Sequence, residues 1–269
     1  MTAEKFDDVM RLRLQSAAGR TIGLDVSAYV IRGVMIDTGF HRARQTVLDA
    51  VQALGVRGVI VTHWHEDHAG NVAMLADRGV PMLMRSDTEA TLRSRPAIQL
   101  YRRVFWGHPP ALASALAAFD PSGLEGIHTP GHSSDHQIVW DAETRTLFSG
   151  DLWLGVRARV LHSTEDPYVL LESLRRASAL QPVRMFDAHR GLVDRPTAAL
   201  DAKIAWLSDT LGEIERRVAE GWTDRAIVQR VLGGEEIAAV VSLGDYARRN
   251  FVRAVRRNVS TGARSPMHR

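Results

Sequence analysis

The stretch Thr62–Gly70 reads THWHEDHAG and follows the apolar run Gly58, Val59, Ile60, Val61. Three histidines and an aspartate thus fall within six residues at the end of an expected strand. Imidazole nitrogen and carboxylate oxygen are ligands that suit Zn(II), and rings at i and i+2 after a strand can converge on one ion. His63 and His65 are therefore read as a pair on one metal, while Asp67 and His68 lie a turn further along and face a neighbouring point. One ion rarely needs all four, so two adjacent ions are the economical reading.

More ligand candidates follow in order. His132 sits in TPGHSSDH (129–136), Asp151 in LFSGD (147–151) and His189 in FDAHRG (186–191). Each follows a short apolar or β-branched run and precedes Gly, Ser or Pro, so four strand-end loops each offer ligands.

With these residues the chain resembles the metallo-β-lactamase-fold hydrolase superfamily over roughly residues 9–195. The resemblance implies an α+β fold, a four-layer αββα sandwich with two zinc ions at one edge of its sheets. It also implies that His63, His65 and His132 hold the first ion, that Asp67, His68 and His189 hold the second, and that Asp151 bridges them. Asp67 and Asp151 are the catalytic carboxylates of that scheme. Two cations a few Å apart lower the pKa of a bridging water and polarise the bond under attack, so a bridging hydroxide is the expected nucleophile. The ligand set would also accept Mn(II) or Fe(II).

The chain has no cysteine. That excludes every cysteine-nucleophile mechanism and argues against the β-lactamases that place a Cys on the second ion; the other lactamase group lacks the bridging carboxylate that Asp151 supplies here. Lactam hydrolysis is thus a minor candidate.

Length and composition agree with a globular enzyme: 269 residues, 45% hydrophobic and 24% charged. The first fifteen residues carry Asp7, Asp8 and Arg11 where a signal peptide needs an apolar stretch, and no segment approaches 18 apolar residues. A cytoplasmic protein without membrane contact is the expectation. Net charge is only +3, with lysine only at Lys5 and Lys203. The cations collect at the end: Arg248, Arg249, Arg253, Arg256, Arg257, Arg264 and Arg269 stand among no acids, which reads as a local positive field.

Val9–Leu14 and Val26–Asp37 read as strands, the second broken at Gly33. In the family the aspartate matching Asp37 hydrogen-bonds a ligand histidine, which fixes tautomer and orientation. Residues 42–54 and 71–78 read as helices. Residues 86–119 break the alternation around Arg95-Pro96 and Trp106–Pro110, and read as a substrate-gating element with Tyr101, Phe105 and Trp106 at a pocket mouth or, at such spacing, in a helix core. His108 reads as a loop residue. His136, four residues after His132, is a candidate for stabilising an oxyanion or orienting a ligand; His128 and His162 are left out of the site.

Residues 198–221 form an amphipathic helix pattern, followed by 223–232, a Gly233-Gly234 break and a last helix over 246–257. This predicts two domains, a catalytic one over 1–195 and a helical, winged-helix-like module over 196–269. The module resembles the end of the β-lactamase-like protein 2 group, which includes endoribonucleases; glyoxalase II also ends in helices. Packing and homodimer formation are the plainer uses for such a module.

Three activities follow from the resemblance. The favoured one is hydrolysis of an ester, thioester or lactone of a small-molecule substrate. The second is phosphodiester cleavage of single-stranded RNA held by the basic tail, with strong salt dependence. The third is iron-dependent persulfide oxidation, which uses a smaller ligand set than this chain carries.

Overall fold

The computed structural model describes residues 2–95 and 97–261. Pro96, Arg264 and Arg269, which figure in the expectations above, lie outside them. The described residues divide between two compact units, one within Met1–His128, Asp135–Asp151 and Val183–Asp194, the other within Thr129–Ser134, Leu152–Pro182 and Arg195–Arg269. The segment expected to begin at 196 is thus grouped with 129–134 and 152–182.

The first unit holds two sheets. One runs β1 (Thr2–Phe6), β2 (Val9–Leu14), β3 (Val26–Ile31), β4 (Val34–Ile36), β5 (Gly58–Ile60), β6 (Met82–Leu83) in that spatial order, with β4, β5 and β6 parallel. The other is built from β7 (Leu124–His128), β8 (Gln137–Asp141), β9 (Thr146–Phe148), β11 (Arg184–Asp187) and β12 (Gly191–Leu192), in the order β12-β11-β9-β8-β7 with β9 and β11 parallel. Arg32 and Gly33 have φ of 49° and 74°, the pair of positive values that a type I′ hairpin turn needs. That turn sets Ile31 opposite Val34.

Side chains alternate across a strand, and the central strands use both faces. Tyr29, Ile31, Val34, Ile36 and Ile60 meet Leu124, Val139, Phe148 and Phe186 of the second sheet. The Tyr29 ring lies 5.5 Å from Phe148 and 5.2 Å from Phe186. The alternate residues Ala28, Val30, Met35, Val59 and Val61 join Val47 and Ala50 of α2 (Arg44–Ala53) and Val72 and Leu75 of α3 (Val72–Ala76) on the other side. The fold is an α+β sandwich.

Residues 86–119 are more regular than expected, with α4 over Ser86–Ser94 and α5 over Leu100–Trp106. Trp106 is buried in the core with its ring 5.2 Å from Phe40, and Phe105 packs on the same cluster. Trp106 therefore takes the core alternative and not the pocket-mouth one: α5 buries Trp106 together with Arg102, while its aliphatic residues Leu100 and Val104 stay exposed.

In the second unit α6 (Pro167–Ala179) packs on α7 (Pro196–Ala219). Asp166 caps α6 by accepting from Tyr168 N and Val169 N, with Pro167 in the first turn. Helix α8 (Asp224–Arg230) is capped by Thr223. The last helix, α10, starts at Arg249 and not at 246, because Tyr246–Ala247 form β13 and pair with β10 (Leu161–His162). A short helix α9 (Ile237–Val241) lies where only a Gly-Gly break was expected. No helix among the described residues is long and apolar enough to cross a membrane.

Candidate metal centre

Parallel neighbours present their carboxy-terminal ends together, and the candidate ligands of the first unit follow the ends of β5, β9 and β11. Two ligating groups result. Within the first unit, His63, His65 and Asp151 each offer an atom, all within 4.8 Å of one another, and Asp67, His68 and His189 do the same. Six of the seven residues proposed from the sequence as ligands are in these groups, and the seventh, His132, lies in the second unit. His108, His128 and His162 are in neither.

The spacing within the first unit suits a metal ion. His63 Nε2 lies 2.9 Å from His65 Nδ1. Asp151 Oδ1 lies 3.2 Å from His68 Nε2 and 3.3 Å from His189 Nε2, and Asp67 Oδ2 lies 3.6 Å from His189 Nε2. Ligand atoms set tetrahedrally at zinc-like distances stand roughly 3.3–3.6 Å apart, which the separations at His189 match, while the two rings of His63 and His65 stand at hydrogen-bond distance. His68 Nε2 is buried and makes no hydrogen bond, although Asp151 and Asp67 are both near. A buried polar atom without a partner is costly, and an ion between these groups would satisfy it.

The far sides of the rings are held. His68 Nδ1 donates to Asp37 Oδ2 at 2.7 Å, and Asp37 Oδ1 accepts from Thr62 N at 2.8 Å. Thr62 Oγ1 bonds to Asp37 and lies 3.0 Å from His63 Nδ1, so one aspartate orients His68 directly and His63 through the Thr62 hydroxyl. Asp37 achieves this at φ of 60°, a conformation that is uncommon outside glycine and is tolerated best by Asp and Asn. His189 Nδ1 donates to the Asp25 carbonyl at 2.5 Å, and Asp187 accepts from the His189 and Arg190 amides. In the second unit His132 Nδ1 lies 2.6 Å from Glu165 Oε1, whose partner oxygen accepts from His162 N. Such contacts turn the remaining ring nitrogen outward as the lone-pair donor.

His136 is fully buried, and its Nε2 accepts from the Asp151 amide at 3.1 Å. Gly150 has φ of 50°, and a Cβ there would stand 2.7 Å from that nitrogen. A glycine is thus required where the ring lies against the Asp151 backbone.

Proton energetics agree with a cation site. Burial opposes charge on His68 and His189, yet Asp151 with Asp37 and Asp67 raises His68 well above the imidazole range, and Asp151 with Asp67 pushes His189 up to about 9. Burial would raise Asp151, but the two histidines hold it well below the carboxylate range. Metal binding replaces protons at such ligands.

Sequence reading missed Glu165, the Asp25 carbonyl and Thr62. Glu165 lies 33 residues from its histidine and carries no local signal. Asp187 was visible in FDAHRG as an aspartate two residues before the ligand, the pattern of an Asx turn.

The family model of the metallo-beta-lactamase superfamily matches residues 21–189. Beta-lactamase-like protein 2 homologs are similar: that of Caenorhabditis elegans is 26% identical over 216 residues, 71% of this chain and 68% of that protein. That of Drosophila melanogaster is 27% identical over 211 residues, 70% and 69% of the two chains. An atrochrysone carboxyl ACP thioesterase of Aspergillus fumigatus is 33% identical over 159 residues, 55% of this chain but 44% of that protein. Among solved structures, the DIM-1 metallo-beta-lactamase aligns with TM-score 0.60 at 18% identity over 77% of this chain and 97% of its own. A metallo-beta-lactamase family protein of Thermus thermophilus aligns with TM-score 0.66 at 19% identity over 96% and 95%. These two likenesses show the fold. With the family model spanning the motifs from Asp37 to His189, and those motifs gathered into two ligating groups, the chain belongs to the metallo-beta-lactamase superfamily and is one of its hydrolases.

Proposed function

We propose that this chain is a binuclear zinc hydrolase that cleaves an ester, thioester or lactone bond. One observation carries the reading: Asp151 belongs to one ligating group while its Oδ1 lies within 3.3 Å of His68 and His189 of the other. A carboxylate so placed can serve two ions, which favours the binuclear reading over a mononuclear iron oxidase. Divalent ions held there supply activated water at neutral pH and Lewis-acid polarisation of a carbonyl. The chain's own residues hold the geometry: Asp37 and Thr62 fix His68 and His63, the Asp25 carbonyl fixes His189, and His136 supports the backbone of Asp151. The similarity to thioesterases supports an acyl substrate; the fold alone does not choose one.

RNA cleavage is the competing reading, and the described part of the basic tail supports it less than the sequence did. Arg248 pairs with Glu236, Arg249 with Glu235 and Arg256 with Asp224.

The test is turnover of a panel of acyl thioesters, aryl esters and lactones, and of labelled single-stranded RNA, by zinc-reconstituted protein with Asp151→Ala in parallel. Acyl hydrolysis by the wild type alone is expected. RNA cleavage by the wild type alone, with no acyl turnover, would sink the proposal in favour of the nuclease.

A further inference from the structure

Two side chains of the ligand loop alternate with the ligands and belong to neither group: Trp64 and Glu66. Glu66 is held by the segment 86–119, expected to be a substrate-gating element, and Trp64 is linked to the same segment through Asp135. The Trp64 amide donates to Asp135 Oδ2 at 2.9 Å, and the same oxygen accepts from Thr88 Oγ1 of α4 at 2.8 Å. Glu66 accepts two hydrogen bonds from Arg102 of α5, from Nε at 2.5 Å and from Nη2 at 2.7 Å. Arg102 Cζ also lies 5.8 Å from the centre of the Trp64 ring.

This ion pair is buried on both sides, with side-chain exposures of 6% for Arg102 and 2% for Glu66. Stability alone gives little reason for such a pair, since an apolar pair of similar volume often does as well or better. What it supplies is direction. A guanidinium fork on a carboxylate fixes distance and plane together, which a single point charge does not. Holding residues 64 and 66 fixes the rotation of the backbone between them, and so the aim of His63, His65 and Asp67. The fork also occupies both oxygens of a carboxylate that adjoins two ligands, keeping it out of the ligand set.

We propose that Arg102 is a positioning residue for the metal centre, acting through Glu66, and that α5 braces the ligand loop. The inference rests on the metal-hydrolase reading above.

Zinc affinity, measured by chelator competition on folded protein, tests it in the wild type, Arg102→Met, Arg102→Lys and the double variant Glu66→Gln/Arg102→Met. Leu112→Ala, a buried core position beyond α5, serves as the control for lost stability. Loss of the fork should weaken zinc binding by roughly 10- to 100-fold, the range for groups that orient ligands. Lysine should recover part of this, and Leu112→Ala should lower Tm with affinity unchanged. If Arg102→Met does not fold, the lysine and double variants carry the test, because neither leaves Glu66 charged and alone. Wild-type affinity in the Arg102 variants, or a loss no greater than that of Leu112→Ala at equal Tm, would overturn the inference. A wild type that binds no zinc would overturn the metal reading and this inference together; two zincs in the wild type beside unaffected Arg102 variants would overturn this inference alone.

Discussion

Loop 62–68 and helix α10 are both dense in polar chemistry, and they differ in where their partners come from. In the loop, adjacent residues face one small volume, and their near neighbours Asp37 and Thr62 complete the arrangement. In α10 and the residue before it, arginines that stand among like charges in the sequence reach back to Asp224, Glu235 and Glu236. A strand end dictates the direction of its next few side chains, so chemistry concentrated there can be read locally. A run of charge on a helix surface has no such constraint, and its field depends on what the fold sets beside it.

The largest effect that could break this contrast lies in Asp151, the carboxylate proposed to serve both groups of ligands. Asp151→Ala should lower turnover by more than about 100-fold, exceeding what changes to orienting groups produce, and should lower metal content as measured by atomic emission. Wild-type turnover with full metal content would end the assignment of the site.

A step smaller are the contacts behind the ligands. Asp37→Asn and Glu165→Gln each keep an acceptor oxygen but lose the charge beside a histidine, and should weaken zinc binding by roughly 10-fold or more. Equal affinity in both variants and the wild type would show that the rings are oriented by packing alone.

On the other side of the comparison, Arg248→Met removes bonds to Glu236 Oε1, the Gly234 carbonyl and the Arg159 carbonyl. It should cost about 1–2 kcal/mol in chemical denaturation, by the usual scale for hydrogen bonds to a charged group, with hydrolysis unchanged. A loss of RNA binding and activity without a loss of stability would restore the reading of α10 as a nucleic-acid surface.

The smallest expected effect is pH-dependent. Burial would raise Asp141, but its bonds to Arg32 and Thr144 hold it below the usual carboxylate range. A depressed carboxyl contributes stability that is present above its unfolded value of about 3.9 and is lost as pH falls through the lower folded value. Arg32→Gln should therefore be less stable than the wild type at pH 6, and the difference in denaturation midpoint should shrink below about pH 4. A constant difference across that range would assign the effect of Arg32 to packing of the hairpin turn.

Much of the site was legible because its ligands follow apolar strands at short, regular offsets: His63, His65, Asp67 and His68 in one loop, then His132, Asp151 and His189. Within each sheet, parallel pairing of β4 with β5 and of β9 with β11 aligns the strand ends from which the ligands of the first unit leave. Less of the rest could be read. Glu165 and Arg102 lie 33 and 36 residues from the groups they hold, and nothing in their neighbourhoods marks them. Residues 86–119 looked irregular because their prolines and aromatics obscured two short helices, and only packing against Phe40 made Trp106 a core residue.

The sequence by itself determined the ligand types, their order, the absence of a thiol nucleophile and the pleated strands that carry them, because these are properties of near neighbours and of period. Tertiary structure alone decided which nitrogen of each histidine is tied back, that Asp37 serves His68 directly and His63 through Thr62, that Arg102 clamps the loop, and that much of the described basic tail is paired. Those outcomes depend on distances between residues far apart in the chain, which no local spacing encodes.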